Sequence, residues 1–340
     1  LILLTTSDYL PKIGGLTSFT LNIENTLREL DLPYEIFHWK NPEEIKNFDK
    51  NKLKNYDLII NIHVMFSWLI DSDHDRMINF IHGSEILMTS PNILKKLYKR
   101  IFKKSYFEKM SKCRFNFFIS AATLEKISKI GFKSDFSRDI IFHNCIKVSP
   151  NKLIEKNIDS DELVMTCIVR NVPHKNLLGT LGFVERVAHL FNRNISLIVP
   201  KNSNLNSRSE RVKIIELKTD ENEERDNAFI KAHFNLLMSK DESNKGFFEG
   251  FGLTILEAGK FSTPSIVLDT GGLGEAVHHK FTGWVLKEIN DDEILHINII
   301  SNEDKYKEVS SNCYQHTVNN HSLEEYKKLI KLISIKEDVA

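Results

Sequence analysis

Short unbroken apolar runs recur along the chain, separated by longer stretches in which apolar residues return every three or four positions. "LILLTT" (1–6), "YEIFH" (34–38), "DLIINIH" (57–63), "INFIH" (78–82), "FNFFIS" (115–120) and "DIIFHN" (139–144) form the first series. They are too short for helices and lack a polar alternation, which predicts strands buried on both faces. Between them, 16–30, 91–110 and 122–130 carry the helical period. The series restarts with "ELVMTCIVR" (162–170), "ISLIVP" (195–200), "VKIIEL" (212–217), "FNLLMS" (234–239) and "PSIVLD" (264–269). Strand–helix alternation of this kind means parallel sheets covered by helices. The fold class expected is therefore α/β, with two doubly wound, Rossmann-like parallel-sheet domains whose ligands sit beyond the carboxyl ends of the strands. The polar stretch "KVSPNKLIEKNIDSDE" (147–162) separates the two series. It divides the chain into a first domain over 1–148, a linker over 149–162 and a second domain over 163–321.

A length of 340 residues accommodates two such domains. Formal net charge is zero, so nucleic acid is not expected as a partner and any anionic surface must be met by a local patch. Cys113, Cys145, Cys167 and Cys313 are far apart in sequence, which argues against a zinc site or a disulfide framework and favours a reducing compartment. Leu1 to Leu4 is too short for an export signal and no small-residue cleavage site follows, so none is expected. No run of about 18 apolar residues is available to span a membrane. These features point to a cytoplasmic protein.

The richest chemistry lies in "FNLLMSKDESNKGFFEGFGLTILEAGKFSTPSIVLDTGGLGEAV" (234–277). A strand ends, a loop carries Glu249, and a helix starts near Gly252 and stops before Pro264. A further strand then leads to the glycine turn "TGGLGE". Gly250 and Gly252 lack side chains that would shield the main chain, so a ligand could approach their N–H groups. Glu257, inside the helix, can accept hydrogen bonds from paired hydroxyls such as a ribose diol. The plainer alternative is a solvated glutamate pair beside two ordinary turns.

This segment resembles the C-terminal signature of glycosyltransferase family 4, the retaining nucleotide-sugar transferases of the GT-B fold, whose two domains face a cleft. The resemblance implies that Glu249 faces the transferred sugar and Glu257 binds the nucleotide ribose. It further implies that the main chain of Phe251, Gly252 and Leu253 holds the sugar or the diphosphate. "IVRNVPHKN" (168–176) resembles the family's diphosphate grip, with Arg170 at a strand end and Lys175 after a proline turn. Two cations suit a departing nucleoside diphosphate, on which negative charge grows as the glycosidic bond breaks. The family usually has glycine before the arginine, and here that position is Val169.

In the first half, "DYLPKIGGLTSFTLNIENTLREL" (8–30) is similar to the family's first loop, which would set Gly14 and Gly15 beside the diphosphate. "FIHGSEI" (80–86) would place His82 near the leaving bond as a hydrogen-bonding group. "HSLEEYKKLIKLI" (321–333) resembles the family's terminal helix, so 322–340 is expected to cross back onto the first domain. "DSDHD" (71–75) reads as solvated acids, and neither a metal nor another cofactor is expected, because such enzymes use fixed cations in its place. The resemblance extends over nearly the whole chain, specifically in the second half and loosely in the first.

One stretch bears on location. In "NILKKLYKRIFKKSYFEKMSKCR" (92–114), Lys95, Lys96, Lys99, Arg100, Lys103 and Lys104 are expected on one helical face, with Leu94, Leu97, Tyr98, Ile101 and Phe102 on the other. Residues 94–104 then suit an anionic membrane surface. The alternative is a surface helix whose apolar face packs on the first sheet. The function expected is a retaining hexosyltransferase, taking sugar from a UDP- or GDP-sugar to a saccharide or lipid-linked acceptor in cell-surface polysaccharide synthesis. The rival is a non-catalytic GT-B subunit that only binds sugar.

Overall fold

The computed structural model describes residues 1–11, 14–70, 72–83, 85–90, 92–148, 153–219 and 221–334. The chain forms two compact units, one of Leu1–Lys147, Glu242–Phe251 and Ser322–Ala340, the other of Val148–Asp241 and Gly252–His321. The first holds strands β1 (Ile2–Thr6), β2 (Tyr34–His38), β3 (Leu58–Asn61), β4 (Met77–Ile81), β5 (Phe115–Phe118) and β6 (Asp139–Ile141). Its helices are α1 (Gly15–Glu29), α2 (Pro42–Lys46), α3 (Met65–Leu69), α4 (Ile93–Met110) and α5 (Ala121–Lys129). All neighbours in the sheet are parallel, in the order β2-β1-β3-β4-β5-β6. β1, β3 and β4 are buried along their whole length, which is why their sequences are unbroken apolar runs.

Polar residues inside those runs fix the register. Thr5, Asn61, Asn79, Asn116 and Asp139 lie in one row across five strands. Thr5 Oγ1 donates to Asn61 Oδ1 at 2.9 Å, and Asn61 Nδ2 to Asn79 Oδ1 at 3.0 Å. Asn79 Nδ2 then donates to Asn116 Oδ1 at 2.8 Å, and Asn116 Nδ2 to Asp139 Oδ1 at 2.8 Å. A slip by one residue would turn every member to the other face and strand buried donors, so the ladder specifies one pairing.

The second unit holds β7 (Glu162–Thr166), β8 (Asn194–Val199), β9 (Val212–Glu216), β10 (Phe234–Leu237), β11 (Ser265–Leu268) and β12 (Gly283–Leu286). Its helices are α6 (Leu177–Leu190), α7 (Asn222–Lys231), α8 (Leu253–Gly259), α9 (Leu273–Ala276), α10 (Asp291–Leu295) and α11 (Glu303–Asn320). The sheet is again parallel, in the order β12-β11-β10-β7-β8-β9. β12 was not among the expected strands: its apolar run, "WVL" (284–286), is only three residues long. After α11 the chain enters α12 (Leu323–Ser334) in the first unit. There Leu323, Tyr326, Leu329, Ile330 and Ile333 join the core of Leu4, Phe19, Ile23 and Leu27. Tyr326 Oη accepts the Cys145 N–H at 3.0 Å. The last six residues of the expected 322–340 helix lie outside the described ones.

Three expectations change. Of the 149–162 linker, 149–152 lie outside the described residues, while the remainder is tied to the second unit. Lys156 Nζ donates to Phe229 O at 3.0 Å and Ala232 O at 2.7 Å, and Arg193 Nη2 to Ser160 O at 2.7 Å. Glu242–Phe251, expected in the second domain, packs with the first unit. On α4 the basic and apolar residues do not segregate. Lys99 and Lys103 turn inward, donating to Leu87 O at 2.8 Å and Ile130 O at 3.2 Å, because a carbonyl outside the helix ladder needs a donor. Tyr98, Phe102 and Tyr106 pack around Trp68, while Leu94, Leu97 and Ile101 stay 77%, 55% and 65% exposed, not on the sheet. At "DSDHD", Asp71 lies outside the described residues and Asp73 pairs with Arg76. All four cysteines are buried and free, and among the described residues no helix is long and apolar enough to cross a membrane.

Candidate active site

In the second sheet, β7 and β10 are neighbours, β8 and β9 follow on one side, and β11 and β12 on the other. Connections leaving β7 and β10 therefore diverge, and their carboxyl ends form the topological switch point where doubly wound sheets take ligands. The β7 connection carries Arg170, exposed, and Lys175, half-buried at the end of a single 3₁₀ turn, Pro173–Lys175. Asn176 follows in the left-handed region (φ 54°) and opens α6. Its Nδ2 donates to Met238 O at 2.9 Å, and Lys240 N donates to His174 O at 2.8 Å. The two diverging connections are thus stitched together, which fixes the backbone bearing both cations beside the segment that follows β10.

The glycines of "EGFGL" have structural work. A Cβ on Gly250 would lie 2.2 Å from His82 O. Gly252 sits at φ 88°, where a Cβ would also meet Leu273 Cδ2 at 2.7 Å. On the side-chain side of both glycines the space is filled by protein. Phe251 is 1% exposed and stacks on His143, ring centroids 5.0 Å apart, so only its main chain can serve a ligand. Leu253 begins α8 and is half-buried. The "TGGLGE" turn opens the four-residue α9 as expected, with Thr270 Oγ1 donating to Ser239 O at 2.8 Å.

Glu257 is not solitary. Arg225 of α7 donates from Nη2 to Glu257 Oε2 at 2.5 Å, with the side chains 14% and 17% exposed. Sequence reasoning missed Arg225, because it sits 32 positions away in a helix with no motif. Glu249 is half-buried and belongs to the first unit's loop, so the structure does not bring the two glutamates together within one unit.

In the first unit, the strand order reverses between β1 and β3. The loop after β1 leads to Gly14, with nothing within 4 Å of its side-chain position, and Gly15, the first residue of α1. A cavity of about 300 Å³ lies at this end, lined by Leu16, His63, Glu85, Lys99 and Phe247 among others. His63 Nδ1 accepts the Met65 N–H at 3.1 Å, which leaves the ring proton on Nε2. Burial pushes His63 down to about 4, with the Lys99 ammonium adding to the shift. His82 follows β4; burial, and then His63, push it down to about 3. Its Nε2 is buried without a hydrogen-bond partner, and its ring meets Phe19 edge-on at 4.4 Å. The Glu85 carboxylate accepts the His82 N–H, and desolvation raises its pKa. His82 and Glu85 retain some exposed area, but the protein packed around them dominates their ionisation. A larger depression of about 490 Å³ lies on edge strand β9, where Glu216 is already taken by Ser203 Oγ and Asn204 N.

Two doubly wound parallel units in one chain make up the GT-B fold. Residues 150–316 match the family model Glycosyl transferases group 1. No curated protein sequence matches it. Among solved structures it is similar to sucrose-phosphate synthase from Thermosynechococcus elongatus, at 12% identity and TM-score 0.73, over 98% of this chain and 97% of that one. Anabaena HepE, solved with UDP and glucose, matches at 15% identity and TM-score 0.65 over 98% and 99%. WaaG, a glycosyltransferase involved in lipopolysaccharide biosynthesis, matches at 13% identity and TM-score 0.66 over 97% and 99%. At such identities the likeness is one of fold.

Proposed function

We propose that the protein is a retaining hexosyltransferase using a nucleoside-diphosphate sugar. The observation that carries this reading is the second unit's switch point, where Arg170 and Lys175 follow β7 and Glu257 lies on α8, the helix after β10. Arg170 and Lys175 hold the diphosphate, one as a planar fork and one as a point charge, and stabilise the charge that grows there. Glu257 accepts from the ribose diol, and Glu249 faces the sugar as positive charge develops at its anomeric carbon. The acceptor hydroxyl attacks on the face the leaving phosphate vacates, and a phosphate oxygen takes its proton. The anomeric oxygen bond breaks as the new bond forms, so configuration is kept without a protein nucleophile. Neither metal nor cofactor has a part in this scheme.

The first unit supports an acceptor or sugar contact. A buried imidazole nitrogen without a partner calls for one, and a neutral His82 can supply a hydrogen bond near the leaving bond. The unsegregated α4 also supports a membrane-side acceptor, because Ile93, Leu94, Leu97 and Ile101 form an exposed apolar stripe flanked by Arg100 and Lys104. HepE with UDP and glucose and WaaG in lipopolysaccharide synthesis favour a UDP-hexose and a cell-surface saccharide, made on the cytoplasmic face. Thermal-shift screening with UDP-, GDP- and CDP-sugars against NAD tests the reading. A selective rise in melting temperature with one nucleotide sugar is expected. No shift with any would overturn it, and binding without turnover would return the non-catalytic subunit.

A further inference from the structure

The donor reading leaves Arg225 without a role, yet this residue touches the glutamate assigned to the ribose. Its guanidinium reaches Glu257 Oε2 at 2.5 Å. Its neighbour Asp226 takes Lys260 Nζ at 3.0 Å. Helices α7 and α8 are therefore latched by two ion pairs of opposite polarity. The carboxyl end of α7 is held in turn by Lys156, through Phe229 O and Ala232 O. An isolated surface pair would leave both side chains free to swing. Here both partners are mostly buried and both helices are fixed, so the carboxylate is presented in one orientation.

We propose that Arg225 is a positioning residue for the donor, setting the plane of the Glu257 carboxylate so that a ribose diol meets a preformed acceptor. The inference rests on the donor reading above. A guanidinium suits the task because its planar fork restricts rotation of the carboxylate, whereas an ammonium is a point charge that does not. The contact takes one lone pair of Oε2. A carboxylate has about four such sites, so capacity for two hydroxyl donors is retained. The role is one of preorganisation, with the supporting side chain holding the residue that makes the contact.

This arrangement should show in discrimination between ribose and deoxyribose. A 2′-deoxynucleotide lacks a hydroxyl donor, so a fixed carboxylate binds it less well. Calorimetry with UDP, GDP, ADP and CDP identifies the base. The matching 2′-deoxynucleotide is then compared on wild type, Arg225→Gln and Arg225→Lys. Wild type should prefer the ribonucleotide by roughly tenfold or more, the range of one charge-assisted hydrogen bond. In Arg225→Gln the preference should collapse towards unity, and Arg225→Lys should recover part of it. A merely structural role would weaken both nucleotides equally and leave their ratio alone. Lys260→Gln, which opens the other latch, should leave the ratio at the wild-type value. An unchanged ratio in folded Arg225→Gln would overturn the proposal while the donor reading stands. Wild type that binds none of the four would overturn both together.

Discussion

The two units share an architecture and differ in how they treat charge at the carboxyl ends of their strands. In the second, Arg170 lies in the open, and Glu257 is buried only in the company of Arg225. In the first, the ionisable groups at the corresponding end are packed among protein, and burial drives His63, His82, Glu85 and Lys99 all towards their neutral forms. In the proposed function the first of these ends receives the anion and the other the uncharged hydroxyl groups. A transferase that strips a diphosphate from a sugar and hands that sugar to an alcohol would need both.

The comparison breaks most severely at the cations. Replacing Arg170 and Lys175 together by Ala should weaken nucleoside-diphosphate binding by about a thousandfold, since each charge-assisted bond contributes roughly 1.5–3 kcal/mol. The second unit should remain folded, Arg170 being exposed. Calorimetry checks this, and unchanged affinity would remove the diphosphate from that loop. Next in size is the outer face of α4. Changing Lys95, Lys96, Arg100 and Lys104 to Gln, while sparing the inward Lys99 and Lys103, should abolish most binding to vesicles containing phosphatidylserine. About 1 kcal/mol per basic residue is at stake, less as salt rises. Equal co-sedimentation with neutral and anionic vesicles would count against a membrane role.

The smallest effect sharpens the comparison through pH. Both histidines are depressed, from 6.5 to about 4 and about 3, so the unfolded chain binds protons that the folded first unit does not. Stability from each ring is therefore present above about 6.5 and lost as pH falls towards the folded value, by about 1.4 kcal/mol per pH unit. Glu85, shifted upward, acts in the opposite sense above its ordinary 4.5. The first unit holds Trp39 and Trp68 and the second Trp284, so melts of Trp284→Phe report the first unit alone. Its midpoint should fall between pH 6.5 and 5, and His82→Gln should flatten the slope. A slope unaffected by that substitution would show that His82 is not desolvated.

These differences explain what could be read beforehand. Apolar runs marked eleven of the twelve strands among the described residues to within a few residues. The central β1, β3 and β4 carry such runs because they are buried on both faces, and the edge strands β2, β6 and β9 carry them although they are partly exposed. β12 escaped because its apolar run, 284–286, is only three residues long. Arg170 with Lys175, and Glu249 with Glu257, were legible as candidates because each pair stands close together in sequence. The polar ladder was not, since Thr5, Asn61, Asn79, Asn116 and Asp139 become neighbours only through pairing. Arg225 was hidden for the same reason. For α4 the helix itself was plain but its orientation was not, because Trp68 and two backbone carbonyls decide which side chains turn inward.

Helix α12 gives the chain an unusual timetable. The apolar surface formed by Leu4 of β1 and Ile23 and Leu27 of α1 is closed by Tyr326, Ile330 and Ile333. Synthesis proceeds at about 5–20 residues per second, so that surface waits many seconds, uncovered on the ribosome, while the whole second unit is made. The half that is born first is thus the half completed last, and a nascent chain halted before Leu323 leaves an apolar face for chaperones to guard.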